Sequence, residues 1–373
     1  MSETGLVAAF TGVRRPFALM EFPVPEAEPG AAVVRITLAN VCGSDLHIWR
    51  GTYDVSRGNS EPFCLSIGHE MTGVVHELGD GFTADSAGEP LAVGDRVVFQ
   101  YFVGCGECRS CRRDTTPRCP EGLKYRFPPD QYPHFTAAYG QYYYLRPGQA
   151  VFKVPDNVPD ELAGPANCAL AQVIDGLERG GAGPEDRLVI QGAGGLGLNA
   201  IAVARERGVG QVIVVDGIPS RLELALAFGA DHVIDLNEFP SAEDRIRRVF
   251  ELTEGDGADL VMELVGSPRS FPRRSGCWPR AGRCWRSATS TGGRRHVGSL
   301  ATGSRRQDDH RHDVVPPREP AVGIAAALGI GRQLPLRPGS LPQLSADGDR
   351  PGLCRPGHRV GSAGGTAAVG RWL

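Results

Sequence analysis

Four cysteines lie close together in the run GCGECRSCRRDTTPRC. Cys105, Cys108, Cys111 and Cys119 are separated by two, two and seven residues. Four thiolates from one short loop satisfy the tetrahedral preference of Zn²⁺ and leave no position open for a substrate. The spacing therefore predicts a closed, structural zinc site that holds a loop together.

A second set of possible metal ligands is spread along the chain. The run VCGSDLH supplies Cys42, and the run GHE supplies His69. A thiolate and an imidazole are ligands that a catalytic zinc takes when one position stays open for water or an alcohol oxygen. Cys168, in PANCALA, is the natural third ligand, with a buried structural cysteine as the alternative. Cys64 competes for this role, but its place on a predicted strand, five residues before His69, favours an apolar core position.

A glycine-rich turn between a strand and a helix predicts dinucleotide binding. The strand RLVIQGA leads into the turn formed by Gly192, Ala193, Gly194, Gly195, Leu196 and Gly197. Gly192 permits a tight turn, Gly194 lets backbone approach a pyrophosphate, and Gly197 allows close helix packing. Asp216 ends the next strand, where a carboxylate binds the adenosine ribose hydroxyls and repels a 2′-phosphate. NAD is therefore favoured over NADP, with Arg221 near enough to soften the preference; a glycine turn without a ligand is the alternative.

The elements that must hold these residues follow two patterns. From Ala31 to about Gly148 the chain has short β-like runs such as AAVVRITLA, EMTGVVHEL and DRVVFQYF, bounded by Gly, Pro and Asp. This pattern predicts a β-rich, barrel-like domain over residues 1–155. After the Pro-rich joint VPDNVPDE, apolar strands alternate with helical stretches, which is typical of a doubly wound parallel α/β sheet, over residues 156–268.

Composition narrows the class of protein. A chain of 373 residues with 41% hydrophobic content is long enough for two globular domains. No run approaches the roughly 18 apolar residues of a membrane span, and the first residues lack a signal-peptide pattern. Ten cysteines as metal thiolates suit a reducing compartment, so we expect a cytoplasmic protein. A net charge of −3 argues against a nucleic-acid partner.

Together these motifs resemble the zinc-dependent medium-chain alcohol dehydrogenase family over residues 5–268. The resemblance implies a GroES-like β-rich catalytic domain, a Rossmann cofactor domain and an active-site cleft between them. It also implies one catalytic and one structural Zn²⁺ per chain, NAD, a small alcohol or carbonyl substrate, and a homodimer or homotetramer. A zinc-free quinone reductase of the same superfamily has no need of the four cysteines.

The resemblance implies roles for individual residues. The catalytic zinc would be held by Cys42, His69 and Cys168, and the structural zinc by Cys105, Cys108, Cys111 and Cys119. Ser44 would pass the alcohol proton onward, and His47 would relay it to solvent. Asp45 and Glu70 would orient the His69 imidazole or tune the metal. The alternative for Ser44, His47, Asp45 and Glu70 is that each is an ordinary polar loop residue.

The family resemblance narrows the substrate only to a class. Zinc would lower the pKa of the substrate hydroxyl, and hydride would pass to C4 of the nicotinamide. Sorbitol-type members usually place Glu at the third catalytic ligand. Cys168 therefore favours a primary or secondary alcohol, with a polyol-type or threonine-type dehydrogenase as the alternative.

Residues 269–373 depart from the family pattern. They contain 18 Arg, no Lys and 6 acidic residues, whereas the rest of the chain has 22 basic and 37 acidic residues. Such a tail is usually disordered or binds nucleic acid. Its length, however, is about what the family needs to finish the cofactor sheet. A shifted reading frame accounts for the right length and the wrong composition.

The genetic code permits a check of this interpretation. With chosen synonymous codons, CWRSATS read one base upstream gives Val-Leu-Glu-Ile-Gly-Asn-Ile, an apolar strand of the expected kind. The run DGDRPGLCRPG resembles the family's closing segment in the remaining frame, so a second slip is expected near residues 291–306. Cys277, Cys284, Cys354 and the QDDHRHD cluster would then be accidents of frame. The second hypothesis is accordingly a catalytically inactive zinc-binding protein, because such a tail is not expected to cover the sheet edge.

Overall fold

The computed structural model describes residues 2–55, 64–101, 104–105, 107–113, 119, 128–265 and 283–286. The described chain forms two units, one running through Cys168 and the other beginning at Ala169. This division lies beyond the Pro-rich joint near residue 155. Cys277, Cys354 and the QDDHRHD run lie outside the described residues, as does the side chain of Cys284.

The first unit is built mainly from antiparallel strands. Its strands are β1 (Thr4–Phe10), β2 (Ala18–Pro23), β3 (Ala32–Asn40), β4 (Leu65–Ser66), β5 (Glu70–Leu78), β6 (Arg96–Phe99), β7 (Tyr142–Leu145) and β8 (Val151–Lys153), and its helices are α1 (Gly43–Trp49) and α2 (Asp160–Ala163). One sheet has the order β7-β3-β5-β6-β8, and the other has the order β2-β1-β4. The β-rich character predicted for this part of the chain is confirmed.

The β-branched and apolar residues of these strands form the core of the first unit. Val34, Met71, Val97 and Phe99 are fully buried and belong to one apolar cluster. Burial of each such side chain contributes about 1.5–3 kcal/mol to stability. The strands that carry these side chains are therefore a stable support for the loops at the strand ends.

The pairing of β3 with β5 brings two distant loops together. The register runs from Ala32 opposite Leu78 to Asn40 opposite Glu70, with two register shifts on the way. The end of β3 consequently lies beside the start of β5. Residues just after Asn40 and just before Glu70 must therefore be neighbours.

The second unit is a parallel sheet with helices between its strands. Its elements are α3 (Ala169–Gly180), β9 (Arg187–Gln191), α4 (Gly195–Glu206), β10 (Gln211–Asp216), α5 (Pro219–Ala227), β11 (His232–Asp235), α6 (Ala242–Leu252), β12 (Leu260–Glu263) and β13 (Arg283–Arg286). The strand order is β11-β10-β9-β12-β13. The chain reverses its direction of travel across the sheet after β11, so β9 and β12 flank the switch point at which such sheets bind ligands. The predicted doubly wound sheet is confirmed.

The edge of this sheet differs from expectation. β13 comes from the Arg-rich region and pairs in parallel with β12, from Leu260 opposite Arg283 to Glu263 opposite Arg286. Backbone hydrogen bonds make this pairing, and they require no apolar sequence. The expectation that the tail leaves the edge of β12 uncovered is therefore wrong for these four residues.

A helix that crosses a membrane must be both long and apolar. Within the described part of the chain, no helix is both long enough and apolar enough to cross a bilayer.

Candidate active site and metal centres

The four cysteines of the predicted structural site converge. One Sγ atom from each of Cys105, Cys108, Cys111 and Cys119 lies within 4.8 Å of the others. Cys111 Sγ is 3.6 Å from Cys108 Sγ and 4.0 Å from Cys105 Sγ. A regular tetrahedron with Zn–S bonds of about 2.3 Å separates its sulfurs by about 3.8 Å. The donor set and its spacing fit a tetrathiolate zinc.

Backbone amides of the same loop point at these sulfurs. The N–H of Cys105 donates to Cys119 Sγ at 3.4 Å, that of Cys108 to Cys105 Sγ at 3.3 Å, and that of Cys111 to Cys108 Sγ at 3.5 Å. Hydrogen bonds to sulfur stabilise the thiolate form, which is the form that binds metal. The loop therefore supplies both the ligands and the donors that support them.

A second cluster gathers residues from separate elements. Ligand atoms of Cys42, His69, Glu70 and Cys168 all lie within 4.8 Å of one another. Cys42 precedes α1 just after β3, and His69 precedes β5, so the β3–β5 register places them together. Glu70, expected only to orient His69 or tune the metal, contributes a carboxylate at ligand distance. Cys64 is half-buried and belongs to neither cluster.

Cys168 reaches the cluster on a short connection held against β6. A 3-10 turn, Gly164–Asn167, comes just before it. Arg96 Nη1 donates to Asp160 Oδ1 at 2.9 Å, and Asn167 Nδ2 donates to the Phe99 carbonyl at 3.1 Å. These two contacts fix the connection to β6 at both ends. Sequence reasoning missed Arg96 and Asn167, because neither belongs to a recognisable motif.

Asp45 lies behind His69. It is 3% exposed, and its Oδ1 is 3.4 Å from His69 Nδ1. Its Oδ2 accepts hydrogen bonds from the Cys42 N–H at 2.9 Å and from the Tyr139 hydroxyl at 3.0 Å. A carboxylate in this position fixes the ring orientation of a metal-binding histidine. Tyr139 is a further residue that sequence reasoning missed.

The protonation of the second cluster is strongly perturbed. A hydrogen bond with Cys168 lowers the pKa of the Cys42 thiol to about 3, and the same hydrogen bond together with burial raises the pKa of Cys168. Burial opposes the charged form of His69, but its hydrogen bonds to Asp45 and Cys42 raise its pKa to about 10. Burial raises the pKa of Glu70 to about 7. Ionisable groups gathered in a buried pocket are costly unless a cation compensates them, and two sulfurs with one imidazole suit zinc.

The two proposed proton carriers lie at different distances from this cluster. Ser44 Oγ is 3.5 Å from His69 Nε2, so the hydroxyl is beside the metal ligands. His47 lies one turn along α1, and its Nδ1 is 2.9 Å from Thr52 Oγ1. The ring of Tyr101 also contacts the site, with its centroid 4.7 Å from that of His69.

The glycine-rich turn has the shape that a dinucleotide requires. Gly192 has φ +99°, and a Cβ there would lie 2.9 Å from Val265 Cγ2. A Cβ at Gly197 would lie 1.9 Å from the Gly192 carbonyl oxygen, whereas a Cβ at Gly194 would meet nothing within 4 Å. Gly192 and Gly197 thus serve the turn itself, and the side of Gly194 is open to a ligand. Exposed Gly195 and half-buried Leu196 begin α4.

Asp216 belongs to the same turn. Its Oδ2 accepts from the Ala193 N–H at 2.7 Å, and its Oδ1 accepts from Gly217 at 2.8 Å and Ile218 at 3.0 Å. Arg221 Nη1 lies 3.8 Å from Oδ2. The carboxylate is therefore fixed at the carboxyl end of β10, beside the glycine-rich turn.

Two models of known protein families match this chain, one in each unit. Residues 28–156 match the family model described as the alcohol dehydrogenase GroES-like domain, and residues 195–300 match the one described as zinc-binding dehydrogenase. The second match extends beyond Pro268, where the sequence pattern was expected to end.

Individual dehydrogenases are also similar to this chain. The chain is 37% identical to 5-exo-hydroxycamphor dehydrogenase of Pseudomonas putida over 254 residues, which is 68% of each chain. It is 32% identical to L-threonine 3-dehydrogenase of Pyrococcus horikoshii over 256 residues, which is 68% of this chain and 67% of the relative. The crystal structure of an alcohol dehydrogenase from Thermotoga maritima superposes with a TM-score of 0.71 at 26% identity, over 88% of each chain. The chain therefore belongs to the zinc-dependent medium-chain alcohol dehydrogenase family and is an oxidoreductase.

Proposed function

We propose that this protein oxidises a secondary alcohol to a ketone with NAD as the hydride acceptor. The observation that carries the proposal is the convergence of Cys42, His69, Glu70 and Cys168 within 4.8 Å. Two sulfurs and an imidazole would hold a catalytic zinc, with Glu70 as a fourth possible donor. A closed tetrathiolate site does no such chemistry. The four-cysteine lobe, which is the site formed by Cys105, Cys108, Cys111 and Cys119, therefore has a structural role in this proposal.

The chain's own residues divide the work around the reacting alcohol. When bound, zinc supplies a Lewis acid for the substrate oxygen, and NAD supplies the hydride acceptor. Ser44, beside His69, accepts the proton of the substrate hydroxyl at Oγ while its own hydroxyl proton passes on toward His47. His47, whose hydrogen bond with Thr52 is exposed, releases a proton to solvent in turn. Asp45 keeps the His69 ring oriented throughout.

The relatives support a secondary rather than a primary alcohol. The hydroxyl group named in 5-exo-hydroxycamphor and the 3-hydroxyl of L-threonine are both on secondary carbons. A polyol also offers such carbons, and erythritol/L-threitol dehydrogenase of Mycolicibacterium smegmatis is 34% identical to this chain over 265 residues. The proposal is therefore a hydroxyl on a secondary carbon, whatever the remainder of the substrate.

Asp216 supports NAD over NADP. A carboxylate at the end of this strand accepts hydrogen bonds from ribose hydroxyls and repels a 2′-phosphate. Arg221 is 3.8 Å from the same carboxylate, which partly compensates its charge. We expect kcat/KM to be at least about tenfold higher with NAD than with NADP, since one unfavourable charge contact is worth more than about 1.4 kcal/mol in a partly buried site.

The test is a panel of primary, secondary and polyhydric alcohols, followed by NADH absorbance with zinc-loaded full-length protein. We expect secondary alcohols to give the highest kcat/KM. A protein that binds zinc at both sites yet reduces neither NAD nor NADP with any member of the panel would refute the proposal.

An inactive zinc-binding protein is the second candidate. The matches to the two dehydrogenase relatives leave about a third of each chain unaligned, which is the share that a shifted reading frame in residues 269–373 would produce. We infer that a frame-corrected gene product turns over alcohols and that the chain as written does so poorly. Resequencing the gene from codon 260 onward separates the two candidates, because an unchanged tail sequence would exclude the frame shift.

A further inference from the structure

We propose that Tyr139 is a positioning residue for the catalytic metal centre: its hydroxyl fixes Asp45 so that Asp45 presents one chosen oxygen to His69. The inference rests on His69 being a metal ligand, as in the proposed function. It adds a residue outside both metal clusters, whose hydroxyl acts through Asp45.

The two oxygens of Asp45 have different surroundings. Oδ2 accepts from the Cys42 N–H at 2.9 Å and from the Tyr139 hydroxyl at 3.0 Å. Within the described part of the chain, Oδ1 has no hydrogen-bond partner other than His69, whose Nδ1 lies 3.4 Å away. Two donors hold Oδ2, so Oδ1 is left for the imidazole. Without the hydroxyl, the backbone N–H alone would decide how the carboxylate is turned.

Tyr139 can act in this way because its own position is fixed on several sides. Its N–H donates to the Ile67 carbonyl at 3.3 Å, and its carbonyl accepts from the Ala8 N–H of β1 at 2.8 Å. Its ring packs edge-on against Phe17, with the centroids 6.0 Å apart at an interplanar angle of 79°. Burial and the neighbouring Asp45 carboxylate raise the pKa of Tyr139, so the hydroxyl keeps its proton and can donate it.

The ring of Tyr139 also lies against the residue that precedes His69. Gly68 has φ +92°, and a Cβ there would lie 2.8 Å from Tyr139 Cδ1. Both the backbone conformation and the lack of space require glycine at this position. Tyr139 is thus in contact with the backbone that carries His69 and with the carboxylate that orients the His69 ring.

The substitution Tyr139→Phe separates these two contacts, because it keeps the ring and removes only the hydroxyl. We expect the affinity of the catalytic centre for Co²⁺ to fall about five- to tenfold, less than the roughly 10–100-fold expected for Asp45→Asn. We also expect the visible absorption bands of the bound Co²⁺ to shift, since the His69 ring changes its orientation. Full-length Cys42→Ala serves as the reference, because its spectrum contains the four-cysteine lobe alone.

Tyr143→Phe is the matched control. Tyr143 is 4% exposed, and its hydroxyl accepts from Nε2 of Gln149 at 3.0 Å, a residue of neither metal cluster. The same substitution there should leave Co²⁺ affinity and the absorption bands unchanged. Equal changes in Tyr139→Phe and Tyr143→Phe would overturn the proposal, because they would reflect a general loosening of the unit.

A double-substitution cycle shows whether Tyr139 acts through Asp45. In the Asp45→Asn background, Tyr139→Phe should lower Co²⁺ affinity less than twofold further, because a cycle isolates the shared interaction. A further loss as large as in the unsubstituted protein would contradict the proposal. The measurement is metal binding and not turnover, so a wrong substrate assignment would leave its outcome unaffected.

Discussion

The two candidate metal clusters of this protein are assembled in opposite ways. The four-cysteine lobe takes its ligands, and the amides that support them, from one loop between Cys105 and Cys119. The proposed catalytic cluster takes Cys42 from the end of one strand, His69 from the start of another, and Cys168 from the residue after a 3-10 turn. The first arrangement is local, and the second depends on the fold of the whole first unit.

This difference determines what each cluster needs from the rest of the chain. The lobe needs its own spacing and a metal. The proposed catalytic cluster needs the β3–β5 register, the Arg96 and Asn167 contacts that hold the Cys168 connection, and the Asp45–Tyr139 pair behind His69. Substitutions should therefore separate the two clusters by their effects on catalysis and on stability.

The largest expected effect is on catalysis. Cys42→Ala removes a ligand of the proposed catalytic zinc, and we expect NAD reduction to fall by at least about 10³-fold, because Lewis-acid stabilisation contributes several kcal/mol. The unit should remain folded, since Cys42 caps only the short helix α1. NADH absorbance measures the loss, and far-UV circular dichroism checks the fold. Turnover above a tenth of the original would contradict the assignment of Cys42.

The corresponding substitution in the lobe should affect stability instead. Cys108→Ala opens the tetrathiolate site, and we expect Tm to fall by about 5–10 °C, because a structural zinc contributes its binding free energy to folding. Below the unfolding transition, kcat should change less than about threefold, since a closed site does not contact substrate. Differential scanning calorimetry and kinetics at low temperature measure the two effects. A loss of kcat with an unchanged Tm would assign a catalytic role to the lobe.

The same contrast explains which features could be predicted from the sequence. The strands AAVVRITLA and EMTGVVHEL, the glycine-rich turn and the four cysteines are local patterns, and the fold class that they predicted is confirmed. Tyr139 and Arg96 are different, because their partners lie 94 and 64 positions away. A tyrosine three residues before a run of tyrosines and an arginine at the start of a strand carry no local signal of such contacts.

The edge strand β13 was missed for another reason. The run Arg283–Arg286 has no apolar periodicity, and an edge strand can be held by its backbone alone. Composition therefore gave correct expectations for buried strands and an incorrect one for the edge of the parallel sheet.

A smaller effect is expected when Arg96, which holds the connection that carries Cys168, is replaced. Arg96→Met removes hydrogen bonds to Asp160, Val158 and Pro155, and we expect about 1–2 kcal/mol of lost stability. Zinc affinity at the catalytic cluster should fall several-fold, with the lobe unaffected. Arg179→Met is the control, because its ion pair with Asp175 is exposed and should contribute less than about 0.5 kcal/mol. Urea unfolding and competitive zinc titration measure both variants; equal zinc affinities would show that the connection does not depend on Arg96.

The smallest expected effect concerns a tyrosine hydroxyl that belongs to neither cluster. Tyr142 donates to Glu3 Oε1 at 2.5 Å, and burial together with this hydrogen bond raises the pKa of Tyr142 to about 12. Because the pKa of an unfolded tyrosine is about 10, this contribution to stability is fully present below pH ~10 and is lost as the pH rises toward about 12. Tyr142→Phe should therefore destabilise the protein at pH 8 and make little difference near pH 12. Urea unfolding at the two pH values tests this, and a difference that grows with pH would contradict it.

The central claim, that a local structural site and an assembled catalytic site coexist in one chain, is tested most directly by zinc analysis of the purified protein and two variants. We predict two zinc ions per chain, and one in each of Cys42→Ala and Cys108→Ala, with NAD reduction abolished only in Cys42→Ala. A single zinc in the unsubstituted protein, or the loss of both ions from either variant, would contradict this account.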